Sequence, residues 1–127
     1  MAVVPIARSL FLCDACTAAS GSKIDVRGIF NQVHPLAGYP HVRNSFYVFA
    51  QLVNGIGRVD YFLDIRHVAT NQLVCTTAPR GLEFATRFSI VNLAVRMESC
   101  EFPMPGLYLV QLFCDNSWVC DAELRLK

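Results

Sequence analysis

The sequence has few charged residues. Asp, Glu, Lys and Arg make up only 17% of its 127 residues, against roughly 25% in an average soluble domain. Neither sign dominates, because eleven basic residues are balanced by ten acidic ones and the formal net charge is +1. A nearly neutral chain offers no basic surface for nucleic acid phosphates or anionic lipids. We therefore expect no nucleic-acid partner and no membrane association.

Long apolar runs are also missing. No stretch reaches the roughly 18 apolar residues that are needed to span a bilayer. Arg8 and Asp14 interrupt the first apolar segment, whereas a secretory signal needs about 7–15 uninterrupted apolar residues. These absences predict a cytoplasmic protein in which the six cysteines remain reduced thiols.

The chain has no linker, internal repeat or low-complexity segment that would divide it. Its length suits one domain, because two halves would each fall near the lower limit for an independent core. Hydrophobic residues make up 54% of the sequence, which is enough apolar surface to exclude disorder. We predict a single domain over residues 1–127.

Short apolar runs alternate with turn signals, as is typical of antiparallel β-sheets. Within residues 58–67, Val59, Tyr61 and Leu63 alternate with polar positions that are charged except for Phe62, the one misfit, which predicts a strand with one buried face. The pattern predicts an all-β fold, a single antiparallel β-sandwich of about seven or eight strands, of the jelly-roll, C2-like or Ig-like kind. Residues 6–17 and 82–95 also fit helical spacing. Their β-branched and aromatic residues favour strands, which leaves room for one short helix.

Two runs are apolar on both of their faces, residues 46–53 and 107–114. A two-layer sandwich covers each sheet on one side only, so the outward row of the second run lacks a cover. That row contains Leu107, Leu109 and Phe113. We predict that another segment of the chain or a second subunit covers it, and these three residues are the interface candidates.

Residues that could carry catalysis are scarce. Cys13 and Cys16 form a CxxC pair, which could be half of a zinc site or a redox dithiol. A structural zinc site needs four ligands, usually including a second close pair, and the sequence has none. It also lacks a GxSxG nucleophile elbow and a phosphate-binding glycine loop. We expect no enzymatic activity, no cofactor and no metal, with a Cys13/Cys16 metal or redox site as the weak alternative.

Two loops provide a further alternative, a site for a small ligand or a peptide. The loop at 35–43 contains Tyr39 and His41, and the turn at 54–58 ends with Arg58. Binding residues are often found on loops that a rigid scaffold holds in place. We therefore name these three side chains as candidate binding residues.

Three motifs point to a known family. They are Leu10-Phe-Leu-Cys-Asp14, Lys23-Ile-Asp-Val-Arg-Gly28-Ile-Phe30 and Phe102-Pro-Met-Pro-Gly106-Leu-Tyr108. In these motifs the chain resembles an uncharacterised bacterial family of small stand-alone β-sandwich domains of unknown function. It departs from the family pattern at Ala15, where an aromatic residue is common.

The resemblance implies a sandwich and carries over no catalytic residue. Together with the uncovered apolar row, it leads us to expect a non-enzymatic interaction or assembly module. Such a module would self-associate or act with co-encoded bacterial proteins, so the expected partner is a protein or a second copy of the chain.

Overall fold

The computed structural model describes residues 2–18 and 23–127, which form ten strands. In chain order these are β1 (Ile6–Ala18), β2 (Ile24–Phe30), β3 (Gln32–Val33), β4 (His41–Val53), β5 (Gly57–His67), β6 (Leu73–Thr76), β7 (Arg80–Phe84), β8 (Val91–Phe102), β9 (Gly106–Cys114) and β10 (Ser117–Leu126).

The strands form two sheets that enclose one core. Sheet one has the order β2-β1-β4-β8, and sheet two has the order β3-β10-β9-β5-β6, with β7 also paired to β5. All of these pairs are antiparallel except the two-residue pairing of β3 with β10. The all-β sandwich is therefore confirmed.

The number of strands differs from the seven or eight predicted. It is larger because β3 is a separate two-residue strand and because residues 73–84 divide into β6 and β7. Of the two segments with helical spacing, residues 6–17 lie in β1, whereas residues 82–95 comprise the end of β7, a connection at 85–90 and the start of β8. The optional short helix is absent from the described residues. Within this part of the chain no helix is long and apolar enough to cross a membrane.

Period-two alternation places the core residues where it is unbroken. The inward side chains of β5 that alternation predicts, Val59, Tyr61 and Leu63, are buried. In the last hairpin, Ala122 lies opposite Val110 on the core side of the β10–β9 pair, also as predicted. Alternation gives these strands an apolar face towards the core, and the two sheets bury these faces against each other.

Strand β8 breaks the alternation near its end. Val95 and Met97 are buried, but the next buried residues are Cys100 and Phe102. The change occurs at Ser99, whose backbone has a positive φ of 52°. The pairing with β4 keeps its register across this point, with Ser45 opposite Glu98 and Arg43 opposite Cys100, so the change lies in the local backbone conformation of β8. As a result, Cys100 points into the sandwich.

Candidate functional site

The structure does not bring the two predicted binding loops together. Strand β4 separates the loop at 35–43 from the turn at 54–58 and runs from one to the other. Its thirteen residues at about 3.3 Å each span about 40 Å. Tyr39 and His41 therefore lie at one end of the sandwich, and Arg58 lies at the other.

The loop at 35–43 has a defined geometry. The hydroxyl of Tyr39 donates a hydrogen bond of 3.0 Å to the backbone carbonyl of Lys127. The ring of His41 stacks against Phe102 with centroids 6.5 Å apart. The Nε2 atom of His41 is buried and has no hydrogen-bond partner among the described residues. The loop lines an open cleft of about 570 Å³ to which His41 contributes.

Arg58 lies on the surface near the start of β5. Its side chain is 70% exposed, and its Nε atom is 3.8 Å from an oxygen of Asp60. Its guanidinium covers Gly81 of the neighbouring β7, where a Cβ atom would collide with it. An exposed ion pair of this length contributes little to stability.

Cys13 and Cys16 point to opposite faces of β1. Their pairing with β2 is continuous, so the three-residue spacing places the two side chains on different sides of the sheet. Burial raises the pKa of both thiols, which disfavours the thiolate that binds metals. No group of three or more His, Cys, Asp or Glu side chains that could hold a metal ion occurs within residues 2–18 and 23–127.

The interface candidates Leu107, Leu109 and Phe113 form a row on the outer face of sheet two, and each is half-buried. The ring of Phe113 stacks on Phe62 of β5, with centroids 4.9 Å apart and an angle of 10° between the rings. On the other side Phe113 is paired with Trp118 of β10, which is 57% exposed. These five residues are called the β9 face below.

Charges of opposite sign flank the β9 face. Leu109 is paired with Arg66 of β5 on one side and with Glu123 of β10 on the other. Asp64, also on β5, accepts a hydrogen bond of 2.6 Å from the hydroxyl of Thr76. Arg66 also lies 3.9 Å from the carboxylate of Asp64, and on the β10 flank Arg125 is paired with Leu107. At the row through Leu109 itself, a cation lies on the β5 flank and an anion on the β10 flank.

The structure also contains a pair of thiols that the sequence analysis did not identify. Cys75 of β6 is paired with Ile65 of β5 and shares its inward orientation. Its sulfur is 2.7 Å from the sulfur of Cys100 in β8. The contact links an edge strand of sheet two to an edge strand of sheet one.

The two thiols differ in exposure and in acidity. Cys100 is 1% exposed and donates its S–H group to the sulfur of Cys75. This hydrogen bond lowers the pKa of Cys75, whose thiolate it stabilises. The same bond and burial raise the pKa of Cys100. By contrast, burial raises the pKa of Cys114 and of Cys120 to about 11 each.

A cleft of about 450 Å³ gives access to the more acidic thiol. Cys75 lines it together with Arg80 and Arg96, and Thr76 and Thr77 contribute to the same wall. Cys75 is half-buried, whereas its partner Cys100 is almost fully buried, so Cys75 is the more accessible of the two residues. Accessible thiols of lowered pKa are the reactive ones in proteins.

The fold and these surfaces define a β-sandwich with an uncovered apolar face and an internal pair of thiols. The chain belongs to the family of unknown function DUF6941, whose model matches residues 8–127. No curated protein matches the chain.

One similar solved structure is that of the Pseudomonas fluorescens alkylpurine DNA glycosylase AlkC bound to DNA containing an abasic site analog. The match has 10% sequence identity and a TM-score of 0.49, and it covers 76% of this chain and 28% of that chain. The chain thus corresponds to little more than a quarter of that protein.

The comparison corrects our partner prediction, which named a protein partner or a homo-oligomer and excluded nucleic acid. That structure was solved with DNA bound, and the exclusion of nucleic acid is withdrawn. At this level of similarity the comparison assigns no partner to this chain.

Proposed function

We propose that this protein is a non-enzymatic assembly module that binds a second copy of itself through the β9 face. The observation that carries the proposal is the row of Leu107, Leu109 and Phe113, half-buried by their own sheet. Aromatic and aliphatic side chains grouped within a polar rim are typical of protein interfaces.

Charge complementarity supports a second copy as the occupant. Most homodimers have two-fold symmetry, in which the same surface of each copy meets the other. When the axis runs along β9, the β5 flank of one copy lies over the β10 flank of the other. Arg66 of each copy then faces Glu123 of the other, and two ion pairs flank the apolar row.

The test compares Leu109→Asp with Leu36→Asp. Both variants replace a leucine with an aspartate, but Leu36 is fully exposed in the loop at 35–43. At tens of micromolar, sedimentation equilibrium should show a dimer for the wild type and for Leu36→Asp, and a monomer for Leu109→Asp. Circular dichroism verifies that each variant is folded. A monomeric wild type, or a dimeric Leu109→Asp, would contradict the proposal.

A charge exchange tests the orientation of the two copies. Arg66→Glu alone should weaken the dimer, because two carboxylates then face each other at each flank. Adding Glu123→Arg should restore the wild-type dissociation constant. If the double variant is weaker than the single one, the axis does not run along β9.

The orphaned imidazole nitrogen of His41 favours a second candidate function, the binding of a small ligand or a peptide at the loop at 35–43. A buried polar atom without a partner is costly, and a ligand that donates a hydrogen bond to it would remove that cost. A fragment and peptide screen followed by NMR should shift resonances of this loop in the wild type and in His34→Phe, but not in His41→Phe. Equal shifts in both variants would exclude His41 from binding.

We further propose the bacterial cytoplasm as the location. The support is that all six cysteines are free thiols, as is usual in a reducing compartment. Fractionation of a bacterial host that carries the natural gene, with antibodies to the protein, tests this proposal. Recovery in the periplasmic fraction would contradict it.

A further inference from the structure

We propose that Cys75 and Cys100 are a redox modification site, at which a low-molecular-weight disulfide converts the two thiols into an intramolecular disulfide. The geometry that carries this proposal is the separation of 2.7 Å between the two sulfur atoms. Both side chains face the interior, one from each sheet. The sulfurs therefore need to move little to form a bond of about 2.05 Å.

The reaction begins at Cys75. Its thiolate attacks one sulfur of the small disulfide, the S–S bond of that molecule breaks, and a thiolate leaves with the proton that Cys75 gave up. Cys75 is the attacking group because this residue lines the cleft and its sulfur accepts the S–H hydrogen bond of Cys100. The product of this step is a mixed disulfide on Cys75.

Cys100 completes the reaction. Its sulfur attacks the sulfur of Cys75, the protein disulfide forms, and the second small thiolate leaves with the proton of Cys100. In total, two electrons and two protons pass from the protein to one molecule of small disulfide, which becomes two small thiols. Cys100 is almost fully buried, so it reacts only after Cys75 has been modified.

The other cysteines provide internal controls. Cys120 is half-buried and inward-facing on β10, as Cys75 is on β6. Within the described residues, however, no sulfur-to-sulfur hydrogen bond involves Cys120. Cys120→Ser therefore matches Cys75→Ser in chemistry and burial while leaving the proposed pair intact.

The experiment equilibrates the full reduced chain with increasing ratios of oxidised to reduced glutathione, followed by acid quenching and alkylation. The number of free thiols should fall from six to four. Digestion with trypsin and a glutamate-specific protease cuts at Arg80 and Glu101, which separates Cys100 from Cys114 and Cys120. Mass spectrometry should then find the Cys75 and Cys100 peptides linked.

Three cysteine variants identify which thiols form the cross-link. Cys75→Ser and Cys100→Ser should each abolish the cross-link, whereas Cys120→Ser should keep it. Six free thiols throughout the series would overturn the proposal. So would a cross-link between other cysteines, or glutathione that stays attached to Cys75 without being displaced by Cys100.

Discussion

Oxidation of the Cys75–Cys100 pair should stabilise the protein. The two residues are separated by 25 positions, so their bond closes a loop of that length in the unfolded chain. The chain-entropy model, about −2.1 − 1.5R ln n in cal/mol/K, gives about 3.5 kcal/mol at 25 °C for such a loop. β6 and β8 belong to different sheets, so no main-chain ladder already links them.

Urea denaturation of the oxidised and reduced chain measures this effect. With an m value of about 2 kcal/mol/M, a gain of 3.5 kcal/mol moves the midpoint upward by about 1.7 M. Intrinsic fluorescence of Trp118 follows the transition, and a reductant in one arm keeps the thiols free. The m value should be compared as well, because a cross-link makes the unfolded chain more compact.

Two variants separate the cross-link from other effects of the redox buffer. Cys75→Ser should unfold at the same midpoint in both buffers, and Cys120→Ser should retain the shift. Equal midpoints for reduced chain and chain that mass spectrometry shows to be oxidised would refute the entropy argument. A lower midpoint for the oxidised chain would show that the bond distorts the native sandwich.

Two further predictions concern backbone strain and thiol reactivity. Gly38→Ala should cost about 1 kcal/mol, because its positive φ of 80° disfavours a Cβ atom although the site has space for one. Gly28→Ala should cost about 2–3 kcal/mol by urea denaturation, because its Cβ would also collide with Asp14; equal costs would contradict this. Between pH 7 and 8, iodoacetamide should label Cys75 before Cys120, because the pKa of Cys75 is lowered and that of Cys120 is raised to about 11. Equal labelling rates by mass spectrometry would contradict the second prediction.

Where the chain alternates without interruption, the sequence is sufficient to predict the fold. Val59 and Leu63 of β5 are buried, and Leu124 of β10 is buried opposite Tyr108. In these strands the hydrophobic effect determines which face of the sheet is buried, and strict alternation then places every side chain on one face or the other. The break between β7 and β8 at residues 85–90 was not predicted, because spaced apolar residues such as Phe88 continue through it.

The candidate sites were harder to predict, because proximity in sequence is a poor guide to proximity in a sheet. A single strand, β4, lies between Tyr39 in its loop and Arg58 at the start of β5, and an extended strand of that length keeps them about 40 Å apart. The CxxC spacing of Cys13 and Cys16 suits a turn or a helix end. In a strand the same spacing directs the two thiols to opposite sides.

The thiol pair depends on the break in the alternation of β8, which the sequence pattern does not predict. Continued alternation after Val95 and Met97 would place Ser99 inside the sandwich and Cys100 on the outer face of sheet one. The positive φ of Ser99 reverses this order and turns Cys100 towards Cys75. A non-glycine residue in this conformation has a backbone cost of order 1–3 kcal/mol. Here the burial of Cys100 and Phe102, which follow Ser99, offsets that cost. The conformation of Ser99 therefore brings Cys100 to Cys75, and it is also the reason why alternation in the sequence does not predict the pair.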